Sequence, residues 1–205
     1  NTGYITEGQF YLKNKVIEKQ DFTWWDGIID SKDYYGHGTH VSGIIAGYLT
    51  NDSKVIFIGI APESKLINLK VVDNWGFGHT SSILKGIEYA VDIKSDIISM
   101  SLGGFGNPDD VLSKAVDEAT KRGLVVVIAA GNSGYYYPFT LSSPGTSREA
   151  ITVGAVDKFG YPADFSSMGP LITGEIKPDI SAPGVEIISA CIESEYTGCN
   201  YSSGN

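Results

Sequence analysis

The 205-residue sequence predicts an α/β fold with a mostly parallel sheet and helices on both faces, in three layers. Three observations predict it. Short apolar runs alternate with stretches of helical periodicity, the grammar of a parallel sheet. The run 124–130, Leu-Val-Val-Val-Ile-Ala-Ala, is nearly continuous in β-branched residues, as expected of a strand covered on both faces. Glycine-rich strings close the strands, at Gly103-Gly104 and at Gly131-Asn132-Ser133-Gly134.

The elements follow in order. The string Gly36-His37-Gly38-Thr39-His40-Val41-Ser42-Gly43-Ile44-Ile45-Ala46 puts a histidine at the mouth of a helix built of small residues. Residues 66–72 form a short apolar run broken by Asn68 and Lys70, fit for a strand. Residues 79–94 carry Ile83, Ile87, Ala90 and Val91 at helical spacing, with Thr80 or Ser81 as cap. Residues 96–102 read as a strand. Asn107-Pro108-Asp109-Asp110 reads as a helix start, with Asn107 as cap, Pro at the first position and acids at the positive end of the dipole. That helix runs to Arg122 and stops at Gly123. Residues 124–130, 151–156 and 185–190 complete the strands.

Composition narrows the function. The net charge of −9 opposes a nucleic-acid partner. No apolar run reaches membrane-spanning length. The chain opens Asn1-Thr2-Gly3 and closes Ser202-Ser203-Gly204-Asn205, which reads as one domain, 1–205, truncated at both ends.

In sheets of this kind ligands sit at the carboxyl ends of the strands, where the glycine strings fall. His37, at a helix start among small residues, suits a general base: its ring is held in one direction and a partner can approach. The bland alternative is a solvated structural histidine. His37 and His40, three apart, lack an intervening glutamate and a third ligand, so they make a poor metal pair. Asn132 follows a strand and a glycine, so its amide projects over the sheet edge; Gly-Asn-Ser-Gly is equally good turn chemistry.

These strings resemble, in order and spacing, those of the subtilisin-like serine proteases. Besides the His37 string, the resemblance covers Ile60-Ala61-Pro62, residues 99–104 and 129–134, Thr152-Val153-Gly154-Ala155-Val156-Asp157, Phe165-Ser166-Ser167-Met168-Gly169-Pro170 and Lys177-Pro178-Asp179-Ile180-Ser181-Ala182-Pro183-Gly184-Val185. It implies an endopeptidase with an Asp/His/Ser triad, in which His37 is the base and Asn132 the oxyanion donor. Ser101, Leu102 and Gly103 would line one side of the substrate cleft, Gly76, Phe77 and Gly78 the other. Ala130 and Gly131 would help form the pocket for the residue before the cut. Asn1 stands where the triad Asp is expected, and an amide there cannot stabilise imidazolium. Asp33, Asp30 and Asp26 read as loop residues rather than substitutes. The Gly-Thr-Ser-Met string of the nucleophile is absent, and Ser202 and Ser203 lack its context.

The resemblance further implies a protein or peptide substrate, a propeptide, an extracellular or cell-envelope location and no cofactor for the chemistry. Residues 49–54 lie where relatives carry a structural calcium loop; a polar turn is the alternative. Cys191 and Cys199 form a local disulfide or stay as two thiols. Tyr135, Tyr136, Tyr137 and Phe139 either roof the specificity pocket or pack as a loop. A catalytically silent homologue that binds extended peptides, and an unrelated α/β binding domain, are the competing functions.

Overall fold

The structure, a computed structural model, describes residues 12, 15–25, 27, 30–51, 54–135, 138–190 and 192. The chain divides into two compact units, residues 1–86 with 188–205, and residues 87–187. The expected alternation of parallel strands and helices is present.

In the first unit, β1 (Val16–Asp21) is followed by α1 (His37–Ala46), β2 (Tyr48–Asn51), β3 (Lys54–Ile58) and β4 (Leu66–Lys70). β1 and β4 pair in parallel, with Asp21 opposite Lys70. β2 and β3 form an antiparallel hairpin. The polar residues that interrupt β4 are its buried ones. Asn68 donates from Nδ2 to the Ser31 carbonyl at 2.8 Å. Lys70, 1% exposed, donates from Nζ to the Asp30 carbonyl at 3.1 Å and to Asn74 Oδ1 at 2.8 Å. Its ammonium lies 3.7 Å from Asp21 Oδ2. A buried cation is tolerable only with such partners.

α1 is short because glycine sits just outside each end: Gly36 before it, and Gly47 after it, whose N–H closes the last turn on the Gly43 carbonyl at 2.9 Å. Residues 188–190 return to this helix. The Ser189 hydroxyl donates to the His40 carbonyl at 2.7 Å, and Ala190 packs on Gly43.

The helix α2 (Thr80–Asp92) straddles the division between the units. Thr80 and Ser81 are its first turn rather than its cap; the amides of Ser82 and Ile83 bond instead to the His79 carbonyl.

The second unit holds β5 (Ile97–Met100), α3 (Val111–Lys121), β6 (Val125–Ala129), β7 (Ile151–Val156) and β8 (Ile180–Pro183). The four strands form one parallel sheet in the order β5-β6-β7-β8. Met100, Val126, Ile128, Val116 and Ala119 are buried. The alternate residues are not: Ile97 is 62% exposed, Val125 46%, Ile151 38% and Ile180 55%. Along β6 burial alternates within this chain.

Two further expectations are corrected. α3 is capped by Asp110, not Asn107: Asp110 Oδ1 accepts Ser113 N–H at 2.9 Å, while Asn107 Oδ1 accepts Asp109 N–H at 2.8 Å and makes a separate turn. The strand expected at 185–190 lies earlier, at β8. Pro183 and Gly184 end it, and Glu186 takes a left-handed φ of 55° that breaks extended pairing.

Candidate active site

His37 is the first residue of α1, and its side chain is exposed. The turn before it needs φ 92° at Gly36, a conformation that costs glycine little and other residues much. The turn is held by Asp33, which is 2% exposed. Asp33 Oδ1 accepts the N–H groups of Tyr35 at 3.0 Å and Gly36 at 2.7 Å. Its Oδ2 accepts Thr39 N–H and Thr39 Oγ1–H, both at 2.8 Å. Asp33 is a loop residue, as expected, but one whose carboxylate organises the histidine string. His40 is half-buried.

The segment Gly76-Phe77-Gly78 belongs to the same unit. Asp73, 5% exposed, clamps it: Oδ1 accepts Trp75 N–H at 2.9 Å and Phe77 N–H at 2.8 Å, and Oδ2 accepts the Trp25 indole N–H at 3.3 Å. Burial pushes the Asp73 carboxyl up. The amides of Phe77 and Trp75, the Trp25 indole and the Lys70 charge outweigh it and hold the group below the usual range. The segment lies beside the histidine string, since a side chain at Gly76 would meet the Tyr35 ring at 3.1 Å. Trp75 and Phe77 are exposed, and His79 stands edge-on to Trp25 with ring centroids 4.3 Å apart.

The remaining candidates lie in the second unit. Ser101, Leu102 and Gly103 extend from β5, and Gly104 exchanges two backbone hydrogen bonds with Ser143, each 2.9 Å. Ala130, Gly131 and Asn132 extend from β6. Gly131 turns the chain at φ 109°. A Cβ at Gly131 would strike Ser142 and Ser167, and one at Gly103 would meet Ser142 Cβ at 3.0 Å. Ser142 thus joins the two segments, and its N–H also donates to the Ala130 carbonyl at 3.0 Å. Ser167 holds the other side, donating its N–H to the Gly131 carbonyl at 2.9 Å and accepting Ser133 N–H on Oγ at 3.0 Å. Asn132, between these anchors, is exposed.

Asp110 is tied to this arrangement through its hydrogen bond with Ser143. Burial pushes its carboxyl up, but hydrogen bonds from Ser113 N–H, Ser143, Asn107 N–H and the Ser113 hydroxyl bring it below the usual range. The sequence also contains Gly145-Thr146-Ser147, but Ser147 is fully buried and donates its hydroxyl to Asp117 at 2.5 Å, so it is no nucleophile.

Asp33, Asp73, Ser142 and Ser167 were not singled out as site residues. The signal for the first two was present: an aspartate three residues before a turn glycine is a ready acceptor for the turn amides. Nothing local marks Ser142 or Ser167, whose partners are distant in sequence. Asn1, Asp26, Tyr136, Tyr137, Cys191, Cys199, Ser202 and Ser203 lie outside the described residues. The 49–54 stretch is the β2–β3 hairpin, with Asn51 opposite Lys54 and its tip outside the described residues. Among the described residues no three His, Cys, Asp or Glu gather as a metal site, and no helix is long and apolar enough to cross a membrane.

The Subtilase family model matches residues 5–204. The chain is 43% identical over 192 residues to the Major intracellular serine protease of Bacillus subtilis, covering 90% of this chain and 56% of that protein. It is 42% identical over 183 residues to Serine protease AprX of the same organism, covering 80% of this chain and 41% of that protein. Among solved structures it superposes on Sphericase with a TM-score of 0.74 at 35% identity, covering 88% of this chain and 63% of that one. This likeness carries the three-layer α/β fold. The chain spans about half the length of the curated relatives it matches.

Proposed function

This chain belongs to the subtilase family, and on that premise we propose that the protein carrying it is a serine endopeptidase that cleaves peptide bonds of proteins. The observation that carries the reading is the exposed His37 at the first position of α1, on a turn held rigid by a buried carboxylate.

In this reading His37 removes the proton from a serine hydroxyl and later returns it to the leaving amine. Asn132 donates its amide to the oxyanion that develops on the attacked carbonyl, a donor whose value comes from being in place before charge develops. The substrate lies extended along Ser101-Leu102-Gly103 and along Gly76-Phe77-Gly78, where backbone groups supply pairing and exposed Trp75 and Phe77 supply apolar contact. Ala130 and Gly131 bound the pocket for the residue before the cut. Asn1 stands in the sequence where the triad carboxylate is expected; its amide can hold the imidazole by a hydrogen bond but cannot stabilise imidazolium.

The family includes a protein named as intracellular, so membership does not fix the compartment. We place this protein outside the cell or at its envelope, with a propeptide. Pairing of Cys191 with Cys199 would support the location, since such bridges persist in oxidising compartments.

The test is labelling of the full-length protein by a serine-directed phosphonate, with hydrolysis of a denatured protein substrate. Labelling and hydrolysis that both vanish in His37→Ala support the reading. Peptide binding without either identifies a silent homologue instead.

A further inference from the structure

We propose that Asp33 is the positioning residue of His37: its buried carboxylate grips the backbone on both sides of the histidine and so fixes the direction in which the imidazole is presented. The inference rests on the reading of His37 as the general base.

The geometry is not that of an ordinary helix cap. The residue in the capping position of α1 is Gly36, which has no side chain to offer. The acceptor comes from three residues further back, and it does more than satisfy a helix amide. One oxygen takes the N–H groups of Tyr35 and Gly36, the two residues before His37. The other takes the N–H and hydroxyl of Thr39, the second residue after it. His37 sits inside a five-residue span whose two ends are tied to one carboxylate. Thr39 is fully buried, so this end of the tie cannot swing. Gly36, at φ 92°, would otherwise be the natural hinge beneath the ring. Its N–H is the shortest of the four contacts, at 2.7 Å.

The carboxylate also suits its place electrostatically. It lies at the positive end of a helix and receives charge-assisted hydrogen bonds on both oxygens. An amide in its stead could offer one acceptor oxygen, and alanine none. The two substitutions therefore loosen the turn in graded steps. A general base must reach its proton within hydrogen-bond distance, and a displacement of an ångström far from the chemistry can cost on the order of a hundredfold in rate.

The test uses the full-length protein, with kcat normalised to active sites titrated by a serine-directed phosphonate. For Asp33→Asn, kcat is expected to fall about tenfold, and for Asp33→Ala about a hundredfold, with KM within about twofold of the parent in both. A second readout does not depend on turnover: the ring signals of His37 in a 15N-histidine-labelled protein should shift or broaden in Asp33→Asn, while those of His79 stay in place. If the Ala variant does not fold, the Asn variant carries both measurements. Unchanged kcat per active site together with unchanged His37 signals overturns the proposal, even if the melting temperature drops. If the parent protein hydrolyses nothing, yet the His37 signals move in Asp33→Asn, the endopeptidase reading fails and the positioning role stands.

Discussion

The Ser189 hydroxyl donates to the carbonyl of His40 at 2.7 Å, across 149 residues of sequence. The contact sits on the face of α1 where Gly43 has no side chain, and the returning segment lies directly against that gap: a Cβ on Gly43 would stand 2.8 Å from Ala190 Cβ and closer still to the Ser189 hydroxyl.

Gly43→Ala should therefore destabilise the protein. Alanine gains about 1 kcal/mol of helix propensity over glycine. Forcing a methyl into a closed contact costs about 1–3 kcal/mol, and more where backbone must move. The contact here includes the Ala190 amide nitrogen at 2.8 Å, so the cost prevails. Urea unfolding midpoints of parent and variant check this; a raised midpoint would show that residues 189–190 yield easily.

Lys70→Met should cost about 3–5 kcal/mol, the usual penalty for removing one partner of a buried charged pair. Thr23 donates its N–H and hydroxyl to Asp21 Oδ1, but among the described residues Oδ2 has no hydrogen-bond partner and faces the Lys70 ammonium at 3.7 Å, so the variant leaves that oxygen's charge uncompensated. Adding Asp21→Asn should recover part of the loss. Thermal unfolding of the two single variants and the double variant measures the coupling.

Asn132→Ala should lower kcat with little change in KM, because the amide acts on charge that develops only during reaction. The magnitude is that established for this donor in a subtilisin, about 10²–10³ in kcat. Steady-state kinetics of the full-length protein decide it. A rise in KM at constant kcat would move Asn132 from oxyanion donor to substrate contact.

Glu175 gives a dependence on acid. Hydrogen bonds from Thr173 and then from Arg148 hold its carboxyl down at about 2. The folded value lies below the ordinary glutamate value of about 4.3, so the stabilisation is present above that pH and is lost as pH falls from there towards 2. The carboxylate is partly exposed, so its contribution is screened by salt. A carbon-detected NMR titration should find Glu175 titrating near 2, and moving up in Arg148→Gln.

The parallel strands of the second unit and the start of α1 were legible in the sequence because they announce themselves locally. Residues 151–156 form β7 to the residue, since an apolar run with a following Asp-Lys-Phe-Gly turn leaves little choice. The β2–β3 hairpin was not legible, because a polar centre at Asn51-Asp52-Ser53-Lys54 is equally a loop. β8 was missed for a related reason: Ile-Ser-Ala-Pro has little β character, and it becomes a strand because β7 offers an edge to pair with. At the site, His37 and Asn132 were visible as residue types beside glycine. The residues that hold them were less so, since Ser142 and Ser167 act through contacts that span tens of residues.

The burial of Asn68 and Lys70 within β4 has a consequence for how the chain finds its pairing. Side chains alternate with a period of two, so a strand with one apolar face can slide two residues along a neighbour and still bury oil against oil. β4 cannot. In the observed pairing Asp21 stands opposite Lys70; a slip of two places would keep the ammonium on its inward face with its carboxylate out of line, an error far costlier than any lost methyl contact. The polar interior of this strand pair acts as an alignment key, accepting one pairing and rejecting its neighbours.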